Sequence, residues 1–388
     1  MTQPSMEYKS MVGRRSHRKS RQGCQQCKAR KVKCDETKPA CKNCVRHAID
    51  CSFDRISVSH LLSPQTSEAS SKHASSSATD LACRPLTDLN IRDLELLHHY
   101  STTTSYTIAR NPLLQTLWRV TVPQIGLSSP FVMRAVLSIS ALHLSYLRPE
   151  HKEYYISQAA CHHEVALNEV SPILATLLQE NSEGMLLFAA LTCFIACAKP
   201  RKMGDFLLID GGKLSQWLTL FRATRTITDF AGDALKAGPL ALMFSIGERK
   251  MLMRESKSNQ ELSCILELKS SIRDEVTDLG ELETYLGAVD ELSKSFSIMF
   301  DPALPSCETS DVFIWLLRVS DEYMSLLERE KPVAMVIFAY YCVVLRQLEW
   351  TWWLNGWSIH VMSAIYQLLN EVYRSWVRWP MEQIGWSP

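Results

Sequence analysis

Six cysteines lie close together near the start of the chain, and their spacing constrains the fold more than any other feature. Between Cys24 and Cys51 the intervening segments contain two, six, six, two and six residues. Two C-x2-C pairs hold sulfurs close together, and each six-residue loop can return another cysteine to the same place. Thiolates are soft ligands that suit tetrahedral zinc at about 2.3 Å. The six are Cys24, Cys27, Cys34, Cys41, Cys44 and Cys51.

Six thiolates can complete two four-coordinate zinc ions only if two of them bridge both ions. The order along the chain assigns the bridges to Cys24 and Cys41. The predicted ligand sets are Cys24, Cys27, Cys34 and Cys41 for one ion, and Cys24, Cys41, Cys44 and Cys51 for the other.

Three other uses of clustered cysteines are a disulfide framework, an iron-sulfur cluster and a thiolate metal store. The chain starts without a hydrophobic signal segment, which favours a reducing compartment over disulfides. Iron-sulfur runs use four cysteines at other spacings, and a metal store would not need a basic surface. We therefore expect two zinc ions as the cofactor.

Charge is distributed very unevenly along the chain. Residues 1 to 55 contain fourteen Lys and Arg against five Asp and Glu, whereas the remainder contains 28 basic and 36 acidic residues. The near-neutral total therefore hides a basic N-terminal part and an acidic remainder. This asymmetry indicates a polyanionic partner for the N-terminal part.

The cysteine segments resemble the fungal Zn2Cys6 binuclear-cluster regulators. The match covers Cys24-Gln-Gln-Cys27-Lys-Ala-Arg-Lys-Val-Lys-Cys34 and Pro39-Ala-Cys41-Lys-Asn-Cys44. The resemblance implies a nuclear transcription factor of the RNA polymerase II type that binds double-stranded DNA at CGG-type triplets, activation being the commoner outcome. In the family a basic pair in the middle of the first helix contacts the bases. By position this role falls to Arg30 and Lys31.

We predict that the first half of the cluster forms a short helix from after Cys24 to Cys34, and that Lys38-Pro39 makes the turn between the halves. A helix held by zinc can present its end to the major groove. Further basic residues fit phosphate contacts, with a solvated basic face as the alternative. The predicted DNA-binding residues are Lys28, Arg30, Lys31, Lys33, Lys42 and Arg46.

Composition divides the chain into four parts. Residues 1–23 form a basic arm that we expect to be disordered, and to contact phosphates or serve as a nuclear-import address. Residues 24–51 form the zinc module, and residues 52–85, with ten serines, form a linker. Residues 86–388 show helical apolar periodicity and predict an all-α regulatory domain. The linker contains no heptads and thus no coiled-coil signal, which leaves monomeric binding or a dimer formed through the C-terminal part.

Within the helical part, three helices are expected first. The predicted apolar positions are Leu89, Leu94, Leu97 and Tyr100 after a cap at Thr87 or Asp88, then Val132, Val136, Ile139 and Tyr146 after Ser129-Pro130, then Tyr155, Ala159, His162, Val165 and Ala166. Two apolar runs, Met185 to Ala198 and Val333 to Leu345, are shorter than the roughly 18 residues that span a bilayer. We expect them to be buried core helices, with no membrane span.

The helical part also looks like the fungal sterol uptake control regulators. The resemblance lies in Asp93 to Tyr100, Phe131 to Pro149 and Trp376 to Trp386. It implies a helical regulatory domain that controls sterol-related or secondary-metabolite biosynthetic genes. It also implies a sterol or metabolite sensor that gates this activity through a hydrophobic small-molecule ligand.

Seven of the ten tryptophans lie between Trp350 and Trp386, where they would suit either a ligand pocket or a core. Trp353, Trp357, Val361 and Ile365 are spaced as one helical stripe, which favours the core. An acidic stretch, Asp274 to Glu291, is interpreted in the same way, as an amphipathic helix rather than an activation surface. Its expected stripe is Leu279, Leu282, Leu286 and Val289.

No sequence pattern indicates catalysis, and we predict no catalytic residues. Cys161 to Glu164 contains metal-capable side chains, but neighbouring helical residues point to different faces. Ile209 to Lys213 is a glycine turn without the spacing of a phosphate loop. The chain has no G-x-S-x-G, H-E-x-x-H or dinucleotide-binding motif. We therefore expect a regulator and not an enzyme.

Overall fold

The computed structural model describes residues 23–38, 40–47, 49, 51–53, 90–173, 180–201, 205–256, 262–301 and 307–388. The chain divides into two compact units, Met1–Arg84 and Pro85–Pro388. Each unit has its own core. Buried cysteines form the first core and one continuous hydrophobic cluster forms the second.

The first unit contains two short helices, α1 (Gln25–Ala29) and α2 (Lys42–Arg46). All six cysteines are buried, and of the residues described in this unit only Ala40 and Phe53 add partly buried apolar side chains to them. So few apolar contacts cannot offset the conformational entropy of folding. The fold of this unit therefore depends on what the cysteines bind.

The described part of the second unit is helical except for one small hairpin, which confirms the predicted all-α domain. The first eight of its helices are α3 (Ile91–Thr102), α4 (Pro112–Thr116), α5 (Val122–Ser128), α6 (Pro130–Leu147), α7 (Lys152–Val170), α8 (Ser182–Ala198), α9 (Gln216–Ala237) and α10 (Ala241–Ser256). The others are α11 (Ser263–Glu275), α12 (Leu279–Met299), α13 (Thr309–Arg318), α14 (Asp321–Glu328), α15 (Pro332–Arg346), α16 (Trp357–Leu368), α17 (Glu371–Trp376) and α18 (Arg378–Ile384).

The hairpin joins β1 (Ile209–Asp210) to β2 (Lys213–Leu214), with Ile209 opposite Leu214. Gly211 and Gly212 form its turn at φ values of 58° and 76°. Two successive positive φ values are characteristic of a type I′ turn, which glycine adopts without steric cost. The glycine turn expected before a helix is therefore confirmed.

Two helices form the centre of the second core. In α15 every residue from Val333 to Leu345 is buried, and α8 buries most of its length. Both were expected as core helices. By length and composition α6 is the one described helix that would suffice to cross a membrane, and 72% of it is buried inside the protein.

The start of α3 differs from the prediction. Asn90 is the N-cap, and its side-chain oxygen accepts hydrogen bonds from the N–H groups of Arg92 and Asp93. The helix therefore does not begin at a cap from Thr87 or Asp88, which lie outside the described residues together with Leu89. Tyr100 is buried as predicted, whereas Leu94 is exposed.

Other stripe positions are also exposed. Tyr146, Val165 and Leu279 are accessible to solvent, although each fits the helical periodicity of its own segment. In α12 the fully buried stripe is Tyr285, Val289, Leu292 and Phe296, and the predicted Leu282 and Leu286 are only partly buried. Periodicity allows more than one apolar face, and the neighbouring helices decide which face is covered.

The tryptophan-rich segment belongs largely to the core, as predicted. Trp353 is fully buried, and its ring centroid lies 4.9 Å from that of Phe194. Trp353 does not lie in the same helix as Trp357, as the predicted stripe requires. It precedes α16, because Gly356 turns the chain at a φ of 76°. A side chain at Gly356 would also meet the Arg201 guanidinium.

Candidate metal centre and nucleic-acid interface

The six cysteines of the first unit form two overlapping groups of four. One group is Cys24, Cys27, Cys34 and Cys41, and the other is Cys24, Cys41, Cys44 and Cys51. Within each group all sulfur atoms lie within 4.8 Å of one another. Cys24 and Cys41 belong to both groups. The ligand sets and the two bridges are therefore those that the order of the cysteines predicts.

The sulfur separations fit tetrahedral zinc. Four ligands at about 2.3 Å from one ion lie about 3.8 Å apart. The Sγ of Cys41 lies 3.6 Å from that of Cys24 and 3.5 Å from that of Cys27. A disulfide would need about 2.05 Å, and all the described cysteines are free thiols. The six cysteines are thus arranged to bind two zinc ions.

Protons compete with the metal for these sulfurs. Burial raises the pKa of Cys24 and of Cys27, and raises that of Cys44 to about 12. Burial alone would also raise the pKa of Cys41. Hydrogen bonds from the Cys44 backbone N–H and from neighbouring thiols outweigh burial and lower this pKa to about 6. Zinc binding must displace the protons, so zinc affinity falls as the pH falls.

The two halves of the module repeat each other with an offset of 17 residues. Cys24 caps α1 by accepting a hydrogen bond from the Cys27 N–H at 3.4 Å, and Cys41 caps α2 in the same way from the Cys44 N–H. The Sγ of Cys34 accepts from the Cys24 N–H, also at 3.4 Å. Each half therefore fixes its sulfurs through its own backbone.

Each half also caps the helix of the other. The Gln25 N–H donates to the Ser52 hydroxyl at 2.8 Å, and the Lys42 N–H donates to the Asp35 carboxylate at 2.9 Å. Ser52 and Asp35 each follow the third cysteine of their half. Because these caps cross the module, the orientation of α1 is fixed relative to α2.

The first helix is shorter than predicted, because α1 ends at Ala29 and does not reach Cys34. The Val32 N–H donates to the Cys27 carbonyl at 3.1 Å, and the Lys31 N–H donates to the Lys28 carbonyl at 3.2 Å. This pair of bonds is the Schellman motif, which ends a helix at a residue in the left-handed conformation. That residue is Lys31, with a φ of 56°.

The predicted DNA-binding residues all lie on the surface of the module. Lys28, Arg30, Lys31, Lys33, Lys42 and Arg46 are exposed. The four in the first half correspond by the offset of 17 to Val45, His47, Ala48 and Asp50, none of which is Lys or Arg. The basic surface is therefore concentrated in the first half.

Sequence reasoning missed the conformation of Lys31 and the two cross-caps. The repeat of the cysteine spacing was a signal for equivalent halves. The left-handed position after a helix is usually Gly or Asn, so a lysine at residue 31 gave no sign of this conformation. The turn expected at Lys38-Pro39 is partly outside the described residues, while Glu36 in the same loop has a φ of 59°.

Two sequence families match this chain. The fungal Zn(2)-Cys(6) binuclear cluster domain matches residues 22–58. The fungal specific transcription factor domain matches residues 95–264. The chain thus contains a fungal Zn(2)-Cys(6) cluster domain followed by a fungal specific transcription factor domain. Both matched domains are domains of transcription factors and not of enzymes.

Two fungal transcription factors are similar to this chain over most of its length. A Zn(2)-C6 fungal-type transcription factor, afumD, of Aspergillus fumigatus is 28% identical over 328 residues, which are 83% of this chain and 84% of that protein. A Zn(2)-C6 fungal-type transcription factor of Gibberella zeae is 23% identical over 434 residues, with 96% and 87% covered.

Sterol uptake control proteins of the same family match over a much shorter length. Sterol uptake control protein 2 of Candida albicans is 49% identical over 51 residues, 13% of this chain and 7% of that protein. An alignment of this length cannot cover the helical unit. The resemblance of the helical part to sterol regulators therefore stays a prediction.

Proposed function

We propose that this regulator binds double-stranded DNA sequence-specifically through the first half of its zinc module. The observation that carries the proposal is the concentration of exposed basic residues on a segment whose backbone is held by buried cysteines. A fixed backbone limits the positions that Lys and Arg donors can reach, and recognition of guanine O6 and N7 needs such positioning.

Two roles are proposed for the basic residues. Arg30 and Lys31, at the exposed end of α1, contact base edges in the major groove. The remaining four contact phosphates, which add affinity with little sequence information. These four are Lys28, Lys33, Lys42 and Arg46.

The test measures binding of the zinc-loaded full-length chain to duplexes with and without CGG triplets. Lys31→Ala should remove most of the preference for the triplet while two zinc ions remain bound. Lys42→Ala should weaken binding to both duplexes equally and lower the salt dependence by about one charge. Equal binding of the wild-type protein to both duplexes would show that the module does not read sequence.

We further propose that the protein acts in the nucleus as an activator of sterol-related or secondary-metabolite biosynthetic genes. The family assignment supports a nuclear transcription factor. The target genes are supported by the resemblance to sterol regulators. Genome-wide mapping of bound sites, combined with transcript levels after deletion of the gene, tests the location, the targets and the sign of regulation together. Bound genes whose transcripts rise on deletion would contradict activation.

A second candidate function is a sensor in the helical unit that gates DNA binding. The supporting observation is a cavity of about 610 Å³ in this unit, within the size range of small-molecule sites. Sterols are the first compounds to test. Saturable quenching of tryptophan emission by a sterol would support that ligand, and quenching that rises linearly without saturation would exclude it.

A further inference from the structure

The cavity of about 610 Å³ has largely apolar walls, with a polar corner between α7 and α8. Its walls include Phe188, Trp217 and Trp357, from α8, α9 and the start of α16. Trp217 and Trp357 use their indole N–H groups to donate to backbone carbonyls of the protein, at 3.0 and 2.7 Å. The rings therefore offer apolar surface to the cavity, with their only polar group already satisfied.

The polar corner is made by Lys199 and His163. Lys199 directly follows α8, and His163 comes from α7. Their interaction is close enough for the Lys199 charge to lower the pKa of His163 further, beyond the larger effect of burial. His163 is 5% exposed, and its Nε2 lies 3.5 Å from the Thr192 hydroxyl oxygen, a long contact. The corner thus contains a cation beside a buried hydrogen-bonding group.

The charge of this corner comes from the lysine. Burial lowers the pKa of His163 to about 4, so its imidazole is neutral near pH 7. Burial also lowers the pKa of Lys199, and the Asp210 carboxylate acts in the opposite direction. Within the described part of the chain no carboxylate forms an ion pair with Lys199.

Two carboxylates also line the cavity, on the side of the β-hairpin. They are Asp205 and Asp210. Asp210 is exposed at the end of β1, where water screens its charge. The hairpin side would therefore suit a cation, whereas the side between α7 and α8 would suit an anion. Lys199 distinguishes these cases, because among the described residues that line the cavity it is the only Lys or Arg.

We propose that this cavity binds an amphipathic organic carboxylate, with its carboxylate at Lys199 and His163 and a flat apolar body against Trp217, Phe188 and Trp357. A carboxylate gains a charge-assisted hydrogen bond from the ammonium group. The flat body gains burial against aromatic rings. The inference deepens the proposed sensor role by giving it a site and a ligand class. A neutral sterol would bring no negative charge to Lys199.

The test is calorimetric titration of the zinc-loaded full-length chain with naphthoate, neutral naphthamide and cationic naphthylmethylamine. These probes share an aromatic body and differ in charge. Naphthoate should bind at least about tenfold more tightly than naphthamide, a difference of about 1.4 kcal/mol. Naphthylmethylamine should bind most weakly. Equal binding of acid and amide, tighter binding of the amine, or no saturable binding of naphthoate would overturn the proposal.

Variants assign the effect to the polar corner. Lys199→Met should reduce naphthoate affinity to that of naphthamide without changing naphthamide binding, and Lys199→Arg should retain the preference for the acid. Lys213→Met removes an exposed lysine from the adjacent hairpin and is the matched control, with no change expected. A preference for naphthoate that survives in Lys199→Met would refute the assignment. Thermal unfolding of each variant establishes that it is folded.

Sensing is measured separately from binding. DNA affinity with and without saturating naphthoate reports whether the occupied cavity affects the zinc module. Binding of naphthoate without any effect on DNA affinity would support the site and remove the sensor role. Failure of the wild-type protein to select DNA sequences would contradict the DNA-binding proposal and leave the calorimetric result unaffected.

Discussion

Lys31 has a left-handed backbone conformation that lysine does not favour. Left-handed φ is costly for a residue with a Cβ atom, by roughly 1 kcal/mol. The Schellman bonds of α1 place Lys31 there, and the chain then turns back toward Cys34. The position combines a strained backbone with the side chain proposed to contact a base. We interpret this as local strain at a functional position.

A glycine at this position should stabilise the module while it abolishes recognition. Lys31→Gly relieves the left-handed strain, and we expect the zinc-loaded module to gain about 1 kcal/mol in free energy of unfolding. Ala29→Gly, at the last residue of α1, is the control and should lose up to about 1 kcal/mol, because glycine is less favourable than alanine in a helix. Urea unfolding measures both. A loss of stability in Lys31→Gly would show that its backbone is not strained.

At the scale of elements, a buried carboxylate joins distant parts of the helical unit. Glu308 precedes α13 and accepts hydrogen bonds from the N–H groups of Arg110 and Asn111 at 3.0 and 2.7 Å. It is 6% exposed. Its backbone N–H donates to Asp311, which completes a capping box at the start of α13. One residue thus caps a helix and holds the segment that leads into α4.

Removal of this carboxylate should be costly. Glu308→Ala leaves two partly buried N–H groups without their acceptor, and we expect a loss of about 2 kcal/mol in free energy of unfolding. Glu308→Gln retains one acceptor oxygen and should lose less. Glu164→Ala, at an exposed position in α7, is the control and should change stability by no more than about 0.5 kcal/mol. Equal losses of stability for Glu308→Ala and Glu164→Ala would show that the hydrogen bonds to the Glu308 carboxylate do not stabilise the helical unit.

At the scale of the whole molecule, the two units should respond differently to metal removal. The first core consists of cysteines, whereas the second is a continuous hydrophobic cluster. A zinc chelator should therefore unfold the module, and Cys34→Ala should have the same effect. The helical unit should retain its circular dichroism and its thermal transition. Loss of the helical signal on chelation would show that the second unit depends on the metal.

The stability of the helical unit should depend on pH through its buried histidines, and most strongly through His143 and His163. Burial lowers the pKa of His143 and of His163 to about 4. The unfolded chain binds these protons near pH 6.5, so the free energy of unfolding falls as the pH drops from about 6.5 toward 4. Protonation of these two histidines together should lower the free energy of unfolding by about 4 kcal/mol between pH 7 and 5.

Thermal unfolding of the zinc-loaded protein at these two pH values measures the effect. His163→Gln cannot take up the proton and should remove about half of the pH dependence. His98→Gln, which replaces an exposed histidine of α3, is the control and should leave it unchanged. A pH dependence that is the same in all three proteins would show that buried histidines do not cause it.

The amino-acid sequence by itself determined the metal centre. Ligand sets and bridges follow from the order of six cysteines, because the chemistry of zinc and short loops leaves few ways to connect them. It also predicted the two central helices of the larger core, Ser182–Ala198 and Pro332–Arg346, because nearly continuous apolar runs must be buried. These features depend on local composition, which is readable along the chain.

Only the tertiary structure decided where α1 ends, which helix faces are covered, and where the cavity lies. Lys31 takes its conformation because the Schellman bonds end α1 and Cys34 must return to the sulfur cluster. Leu94 and Tyr146 fit helical periodicity but are exposed in the structure. The cavity joins His163, Lys199 and Trp357 from distant segments. Such features arise from contacts between elements, and spacing along the sequence does not encode them.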